Sequence, residues 1–178
     1  MSTDPGNPTA PAQPASYEWE DCLAPITGGA HDIEHFRDSV RLIVDEKLVA
    51  PVLSALRGAG FDMLVDVTAV DYLDFPDATR RFGVIYALLC VASGKRLIVK
   101  THVDLPDPEL PSVVSIWRSA EWLEREVFDM FGIRFAGHPD LRRILLPDEF
   151  TSFPLRKDYP VRGRGERHNF PVIARSES

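Results

Sequence analysis

The chain has 178 residues, 26% of them charged and 44% hydrophobic, which are the proportions of an ordinary globular protein. This length predicts one compact domain with appendages. A formal net charge of -7 argues against a general nucleic-acid-binding protein. Residues 1–133 carry 11 Lys and Arg against 21 Asp and Glu, a balance of -10, whereas residues 134–178 carry 9 against 6, a balance of +3. The two parts therefore face different electrostatic partners.

The two cysteines, Cys22 and Cys90, are far apart and form no CxxC pair. The sequence therefore supports neither a disulfide framework nor a cysteine-ligated iron-sulfur cluster.

The longest apolar run, residues 84–92, is about half of the roughly 20 residues that a membrane helix needs. The N-terminus lacks the basic and apolar regions of a secretory signal. We expect the mature chain to start here, in a reducing compartment, with any membrane association made through partners.

The first predicted segment is a leader, residues 1–16, whose prolines lie among small and polar residues that predict disorder. A short strand is indicated near residues 40–44. Residues 47–59 place apolar side chains at spacings of three and four, which predicts an amphipathic helix that ends near Gly58 and Gly60.

Three β-rich runs follow at residues 63–70, 82–91 and 96–103. Ser93 and Gly94 predict a tight turn that joins the last two runs into an antiparallel hairpin. Residues 71–81 are rich in Asp and contain Pro76, which predicts a solvent-exposed connection. After a Pro-rich link, Ser112 stands before a second helical stretch that runs to Gly132.

The predicted fold is a small α+β domain over residues 17–133, with a mostly antiparallel sheet packed by helices. An extended, Pro- and Arg-rich tail over residues 134–178 follows it, because prolines every few residues prevent a long helix or a central strand.

The helix near residues 120–131 has two unlike faces. Its apolar sector, which we expect to pack on the sheet, contains Ala120, Leu123, Val127, Met130 and Phe131. The opposite side carries Trp122, Arg125, Glu126 and Asp129, and Arg125 lies within pairing reach of Asp129. A Trp on a charged face predicts either a partner protein or the tail folded back over it, and both can hold together. Glu124, at the edge of the apolar sector, needs a partner such as Arg142 or Arg143.

Three motifs resemble the thirty-kilodalton subunit family of respiratory complex I, whose bacterial members are known as the C subunit of NADH-quinone oxidoreductase. They are EREVFDMFGI at 124–133, FAGHPDLRRILLP at 135–147 and PLRKDYP at 154–160. The layout of strands and helices from residue 47 to residue 131 also resembles that family.

The resemblance implies a structural subunit of NADH-quinone oxidoreductase, in the hydrophilic arm, that packs against the quinone-site subunit and wraps it with the tail. It implies no catalytic residue and no cofactor in this chain, with flavin and iron-sulfur clusters in partner subunits. It also implies a peripheral position on the cytoplasmic face of the bacterial inner membrane, attached only through the complex, and no nucleic-acid partner. The residues that the resemblance assigns to docking are Trp122, Glu124, Arg125, Glu126, Asp129, Gly132, His138, Pro139, Asp140, Arg142, Arg143, Arg156, Lys157, Asp158 and Tyr159.

Two alternatives remain open. One is the equivalent subunit of a related membrane complex fed by ferredoxin, another carrier or hydrogenase chemistry. The other is a zinc hydrolase, because His31 and His35 form an HxxEH pattern that would bind zinc from one helical face. A solvated helix start is the plainer interpretation of that segment. His138 is expected to hydrogen-bond its own turn rather than to act as a general base with Asp140.

Overall fold

The structure is a computed structural model that describes residues 18–29, 31–36 and 39–165. The predicted leader and residues 166–178 lie outside the described residues. A 3-10 turn at Glu20–Cys22 comes first. The helices and strands, in chain order, are α1 (Ala24–Thr27), β1 (His31–Phe36), β2 (Ser39–Val44), α2 (Val49–Gly58), β3 (Met63–Asp71), β4 (Phe82–Leu89), β5 (Arg96–Val103), β6 (Glu109–Pro111), α3 (Ala120–Phe131) and β7 (Arg134–Ala136).

Five strands form one sheet in the order β1-β2-β5-β4-β3, in which only the β2–β5 pair is parallel. This confirms the predicted α+β class with a mostly antiparallel sheet. The β4–β5 hairpin is also confirmed: Gly94, at φ +70°, donates its amide to the carbonyl of Cys90 at 2.8 Å. β6 and β7 form a separate parallel pair, so the predicted tail begins with a short strand.

The core lies between one face of the sheet and the helices. Along β4, the buried side chains Val84, Tyr86 and Leu88 alternate with half-buried ones, as expected for a strand with one covered face. α2 buries Val52 and Leu56 among others, and the predicted apolar sector of α3 is buried or half-buried as expected. No helix in the described part of the chain is long and apolar enough to cross a bilayer.

The segment from His31 is a strand, so the predicted helix start is wrong. β1 pairs with β2 along its whole length, from His31 opposite Val44 to Phe36 opposite Ser39. A strand rises about 3.3 Å per residue, which separates two residues four apart by about 13 Å. His31 and His35 therefore lack the helical geometry that the zinc alternative requires.

The second of the predicted helices is α3, and it begins at Ala120 and not after Ser112. Residues 112–119 form turns that are held by distant parts of the chain instead. The guanidinium of Arg57 donates to the carbonyl of Ile116, and the indole of Trp117 donates to the carbonyl of Asp62 at 3.1 Å. The 71–81 connection is exposed as predicted, except that its end residues Asp71 and Arg81 are largely buried.

We expect Trp117→Phe to lower the free energy of unfolding by about 1–3 kcal/mol, because it leaves the Asp62 carbonyl without its buried donor. Trp122→Phe is the matched control: Trp122 is 58% exposed, and its change should stay within about 0.5 kcal/mol. Urea denaturation of the purified chain measures both, and equal effects would contradict the role given to the Trp117 indole.

Candidate docking surface

The tail folds back over α3 and follows it from its first turn to its last. Residues 138–158 are here called the strap. The ring of His138 bonds the carbonyl of Glu121 at 3.0 Å and accepts the amide of Asp140 at 3.0 Å. One turn later, the guanidinium of Arg125 donates to the carbonyls of Arg142 and Arg143, at 3.1 and 3.0 Å. The strap therefore belongs to the same packed unit as the helix.

Asp129 is the central attachment point of the strap. Its fully buried carboxylate accepts the amides of Ile144, Leu145 and Leu146 on one oxygen, at 3.1, 2.8 and 2.9 Å. The other oxygen accepts the guanidinium of Arg143 at 2.7 Å. Burial alone would raise the pKa of Asp129, but these donors outweigh burial and hold the pKa below its ordinary value. The carboxylate is therefore kept charged inside the protein.

The strap also satisfies the C-terminal end of α3. The last four carbonyls of a helix have no partner within it. Here the Phe128 carbonyl accepts the amide of Gly132 at 2.8 Å, and the Asp129 carbonyl accepts Arg143 at 3.3 Å. The last two, those of residues 130 and 131, accept the Leu155 amide at 3.2 Å and the Arg156 guanidinium at 2.5 Å. Three of the four carbonyls thus depend on the strap.

Gly132 makes this close approach possible. It ends α3 in the left-handed conformation, with φ +72°. A Cβ atom at this position would lie 2.6 Å from the Arg156 guanidinium and 2.6 Å from the ring of Phe153. The guanidinium of Arg156 in turn lies 4.4 Å from the centroid of the Phe153 ring. A glycine is therefore required both by the backbone and by the strap.

A second buried carboxylate, Asp71 at the end of β3, holds the end of the strap. It accepts the amide of Lys157 at 2.9 Å and the guanidinium of Arg81 at 3.2 Å, and Arg81 bridges to Asp158 at 2.7 Å. Burial would raise the pKa of Asp71, but the Lys157 amide and Arg81 outweigh it and lower the pKa. The sheet and the helix thus each contribute one charged anchor.

Glu124 is fully buried, and its hydrogen-bond partners come from the segment before α3. It accepts the amide of Val113 and the hydroxyl of Ser112, both at 2.7 Å. The predicted partners Arg142 and Arg143 are wrong, because the helix turns this side chain toward the 112–119 turns. Burial raises the pKa of Glu124 above its ordinary value, since these two hydrogen bonds and the nearby His138 offset the loss of solvent only in part.

Three large apolar side chains of α3 and the strap are exposed. Trp122 is 58% exposed, Leu145 is 62% exposed and Leu155 is 52% exposed. The two leucines are placed by amides that bind Asp129 and the carbonyl of Met130, so all three lie along the length of α3. The guanidinium of Arg125 lies 5.1 Å from the centroid of the Trp122 ring. We call Trp122, Leu145 and Leu155 the docking patch.

Residues 42–165 match the family described as respiratory-chain NADH dehydrogenase, 30 Kd subunit. The chain belongs to this family. Its relatives include NADH-quinone oxidoreductase subunit 5 of Thermus thermophilus, 47% identical over 111 residues that cover 59% of this chain and 54% of that protein. The chain thus spans about half the length of the Thermus relative. The C subunit of NADH-quinone oxidoreductase from Trichlorobacter lovleyi is 47% identical over 128 residues, which cover 72% of this chain and 78% of that protein.

Two solved structures resemble the fold of this thirty-kilodalton-family chain. One is a trypsin-resistant fragment, residues 1–134, of Nqo5, with a TM-score of 0.63 and 35% identity over 68% of this chain and 98% of that one. The other belongs to the membrane-bound sulfane sulfur reductase, an archaeal respiratory membrane complex. It has a TM-score of 0.69 over 91% of this chain and 96% of that one. At 23% identity, this second likeness shows the fold alone.

The residues that the family signature assigned to docking fall into two groups according to their exposure. Some serve the chain itself, as buried or half-buried contacts: Glu124, Arg125, Asp129, Gly132, His138, Arg143, Arg156 and Tyr159. Others are exposed: Trp122, Glu126, Pro139, Asp140, Arg142, Lys157 and Asp158. The predicted hydrogen bond of His138 to its own turn is confirmed. Arg125 and Asp129 lie within pairing reach on the helix, but each side chain bonds the strap instead. Docking to a partner stays a prediction for all of these residues.

Sequence reasoning missed Asp71 and Arg81 as strap anchors and Leu145 and Leu155 as exposed apolar residues. One signal for Asp71 was present: it continues the buried alternation of Val67 and Ala69 in β3, and a carboxylate on a covered face needs donors. Among the described residues, no group of three or more His, Cys, Asp or Glu side chains could hold a metal ion.

We expect Gly132→Ala to destabilise the chain more than Gly94→Ala. Both glycines have a positive φ, so both changes should cost about 1–2 kcal/mol of backbone strain. Nothing lies within 4 Å of a Cβ at Gly94, whereas the clash at Gly132 should add about 1–3 kcal/mol. Urea denaturation gives the difference, and equal costs would mean that the strap does not press on the helix end.

We expect Glu124→Gln to remove a pH dependence of stability. A raised pKa in the folded state means that stability from this group is present below the unfolded pKa of about 4.3 and is lost as the pH rises through the folded pKa. The amide can accept from Val113 and donate to Ser112 without charge. The wild-type chain should therefore lose stability relative to the variant as the pH rises, in urea titrations. A constant difference between the two would contradict the assignment.

Proposed function

We propose that this chain is the structural, cofactor-free subunit of the proton-translocating NADH-quinone oxidoreductase, complex I, and that it packs against the quinone-site subunit in the hydrophilic arm. The chemistry occurs in neighbouring chains, which hold the flavin and the iron-sulfur clusters. Membership of the thirty-kilodalton family supports this role, together with relatives that are named as subunits of NADH-quinone oxidoreductase.

The observation that carries the docking role is the docking patch. The strap and α3 turn their charged groups Asp129 and Arg143 inward and leave Trp122, Leu145 and Leu155 exposed. Aromatic and apolar side chains surrounded by charge are typical of the centres of protein interfaces. Because the strap is already held by buried hydrogen bonds, the patch is preorganised and a partner need not order it on binding.

The exposed charges around the patch set the electrostatic character of this surface. Glu126, Arg142 and Lys157 are exposed there, and Arg142 pairs with Asp140 at 2.9 Å. A rim of mixed charge favours a polar protein neighbour over a lipid surface. We infer that the chain is peripheral, on the cytoplasmic face of the bacterial inner membrane, and held there through its partners.

A second candidate is the equivalent subunit of a related membrane complex fed by ferredoxin, another carrier or hydrogenase chemistry. The fold is shared with a subunit of an archaeal sulfane sulfur reductase, so the fold is compatible with both functions. The 47% identity to subunits named for NADH-quinone oxidoreductase favours the first candidate. NADH-quinone reductase activity in the purified assembly distinguishes the two.

We expect Trp122→Glu combined with Leu145→Glu to remove the quinone-site subunit from the assembly. Interface centres lose about 2 kcal/mol or more on such changes, so affinity should fall by about 30-fold or more per site. The measurement is a mild-detergent pull-down of the tagged chain, with the co-purifying proteins quantified by mass spectrometry and NADH-quinone reductase activity assayed in the eluate.

The matched control is Val91→Glu, which changes an equally exposed apolar residue, 60% exposed, in the β4–β5 turn. It should retain the full complement of partners. Urea denaturation of each purified variant checks that the chain still folds, as expected for exposed positions. Full retention of the quinone-site subunit by the double variant would contradict docking through the patch. A wild-type chain that purifies alone would contradict the subunit role itself.

A further inference from the structure

The sheet has a second face, away from the helices, that the chain covers only at one end. On this face, Ile85, Ala87 and Leu89 of β4 alternate with the core residues and remain half-buried. At the end where β4 begins, Tyr72 packs so closely that a Cβ on Gly83 would lie 2.8 Å from its ring. The ammonium of Lys100 lies 4.8 Å from the centroid of the same ring. The opposite end of the face has no such cover among the described residues.

The open end forms an apolar groove of ≈ 360 Å³ that we call the sheet groove. It crosses four neighbouring strands in the order β2, β5, β4 and β3. The residues that define it are Ser39, Ile98, Ala87, Leu89, Met63 and Val65. Met63 is 47% exposed and Val65 is 50% exposed, so the groove ends on two uncovered apolar side chains. Such a surface stabilises a protein only when something covers it.

The shape of the groove favours a helix over a strand. Four strands about 4.8 Å apart span about 14 Å, which a helix laid across them would cover with about ten residues. Val65 is the extra residue of a β-bulge between Leu64 and Asp66, at the edge of the sheet. Bulges at sheet edges disrupt the ladder that an added strand would need. The groove therefore suits an element that packs on the face and not one that extends the edge.

The charged residue at the rim of the sheet groove indicates which kind of side chain a binding partner would present there. Arg96 lines the groove and is exposed, and within the described residues its guanidinium makes no hydrogen bond or ion pair. Its neighbour Lys95 is paired with Glu18 at 3.0 Å. An unpaired guanidinium beside apolar side chains favours a carboxylate on the partner, because Arg binds carboxylates in a bidentate manner.

We propose that the sheet groove is a second docking surface, and that its occupant is an amphipathic helix of another subunit of the complex. That helix presents apolar side chains at positions i, i+3 or i+4, and i+7, together with a carboxylate that pairs with Arg96. The groove and the docking patch lie on opposite sides of the sheet, so the subunit is held between two neighbours. This inference rests on assembly into the proposed complex but uses a separate surface.

Site-specific photocrosslinking identifies the occupant. A photoreactive amino acid replaces Val65 in the tagged full-length chain, the complex is assembled in cells, and the crosslinked peptide is sequenced after purification in mild detergent. We expect a peptide of another subunit, with the helical apolar spacing and an acidic residue. A second chain with the probe at Trp122 should crosslink to a different peptide. Crosslinks to this chain's own termini, to a second copy of it, or to no protein would overturn the proposal.

Substitutions then test the contacts. Arg96→Glu and Val65→Asp should each lower retention of the crosslinked subunit by about 10-fold or more in the pull-down, the loss expected when a contact of about 1.4 kcal/mol is removed. Val70→Asp is the matched control: it changes the same residue type on the same strand, 36% exposed and outside the groove, and should retain that subunit. Replacing the partner's carboxylate by Lys should restore binding to the Arg96→Glu chain.

These experiments distinguish a failure of the sheet-groove proposal from a failure of the proposed function. If Arg96→Glu and Val65→Asp retain every subunit while the Trp122→Glu, Leu145→Glu double variant loses the quinone-site subunit, the sheet groove is not an interface and the proposed function stands. If the wild-type chain brings down no complex, the proposed function itself fails. Urea denaturation of the Arg96→Glu and Val65→Asp chains should match that of the wild type, since both residues are exposed.

Discussion

The buried carboxylate of Asp129 is the interaction on which the arrangement of this protein depends. A charge without solvent is costly unless hydrogen bonds replace water. Here three consecutive strap amides and the guanidinium of Arg143 replace it. The same contact places the strap where it satisfies the end of α3, fits against Gly132 and turns Leu145 outward. Removing the carboxylate would leave three amides without their acceptor and the charge of Arg143 without its anionic partner.

The residues of the family signature therefore have two different physical roles, and the sequence motif alone does not show which residue has which role. Its charged residues near Asp129 mainly hold the chain to itself, whereas Trp122 and the strap leucines form the outward surface. The basic tail, with its balance of +3, does not simply offer free cations to a neighbour, since Arg143 and Arg156 are engaged by α3. What it offers to a partner is mainly a fixed apolar patch with a charged rim.

The other face of the sheet also has an exposed apolar surface. Helices cover one face, the 72–80 connection covers part of the other, and an apolar groove with Arg96 at its rim remains. Asp71 and Arg81 join the two sides, because they anchor the strap from the ends of β3 and the following connection. A small domain with an exposed apolar surface on each side fits the proposed position between two larger subunits.

The sequence by itself determined the family, the β3–β5 strands, α2 and the two faces of α3, because burial on one face leaves a period of two or 3.6 in the chain. It did not reveal β1, in which only Ile33 and Phe36 of six residues are apolar, because an edge strand is partly covered and shows no clear alternation. Tertiary structure alone decided that Asp129 bonds Arg143 rather than Arg125. Local spacing shows which side chains are near neighbours on a helix, but not which distant segment will replace water around a buried charge.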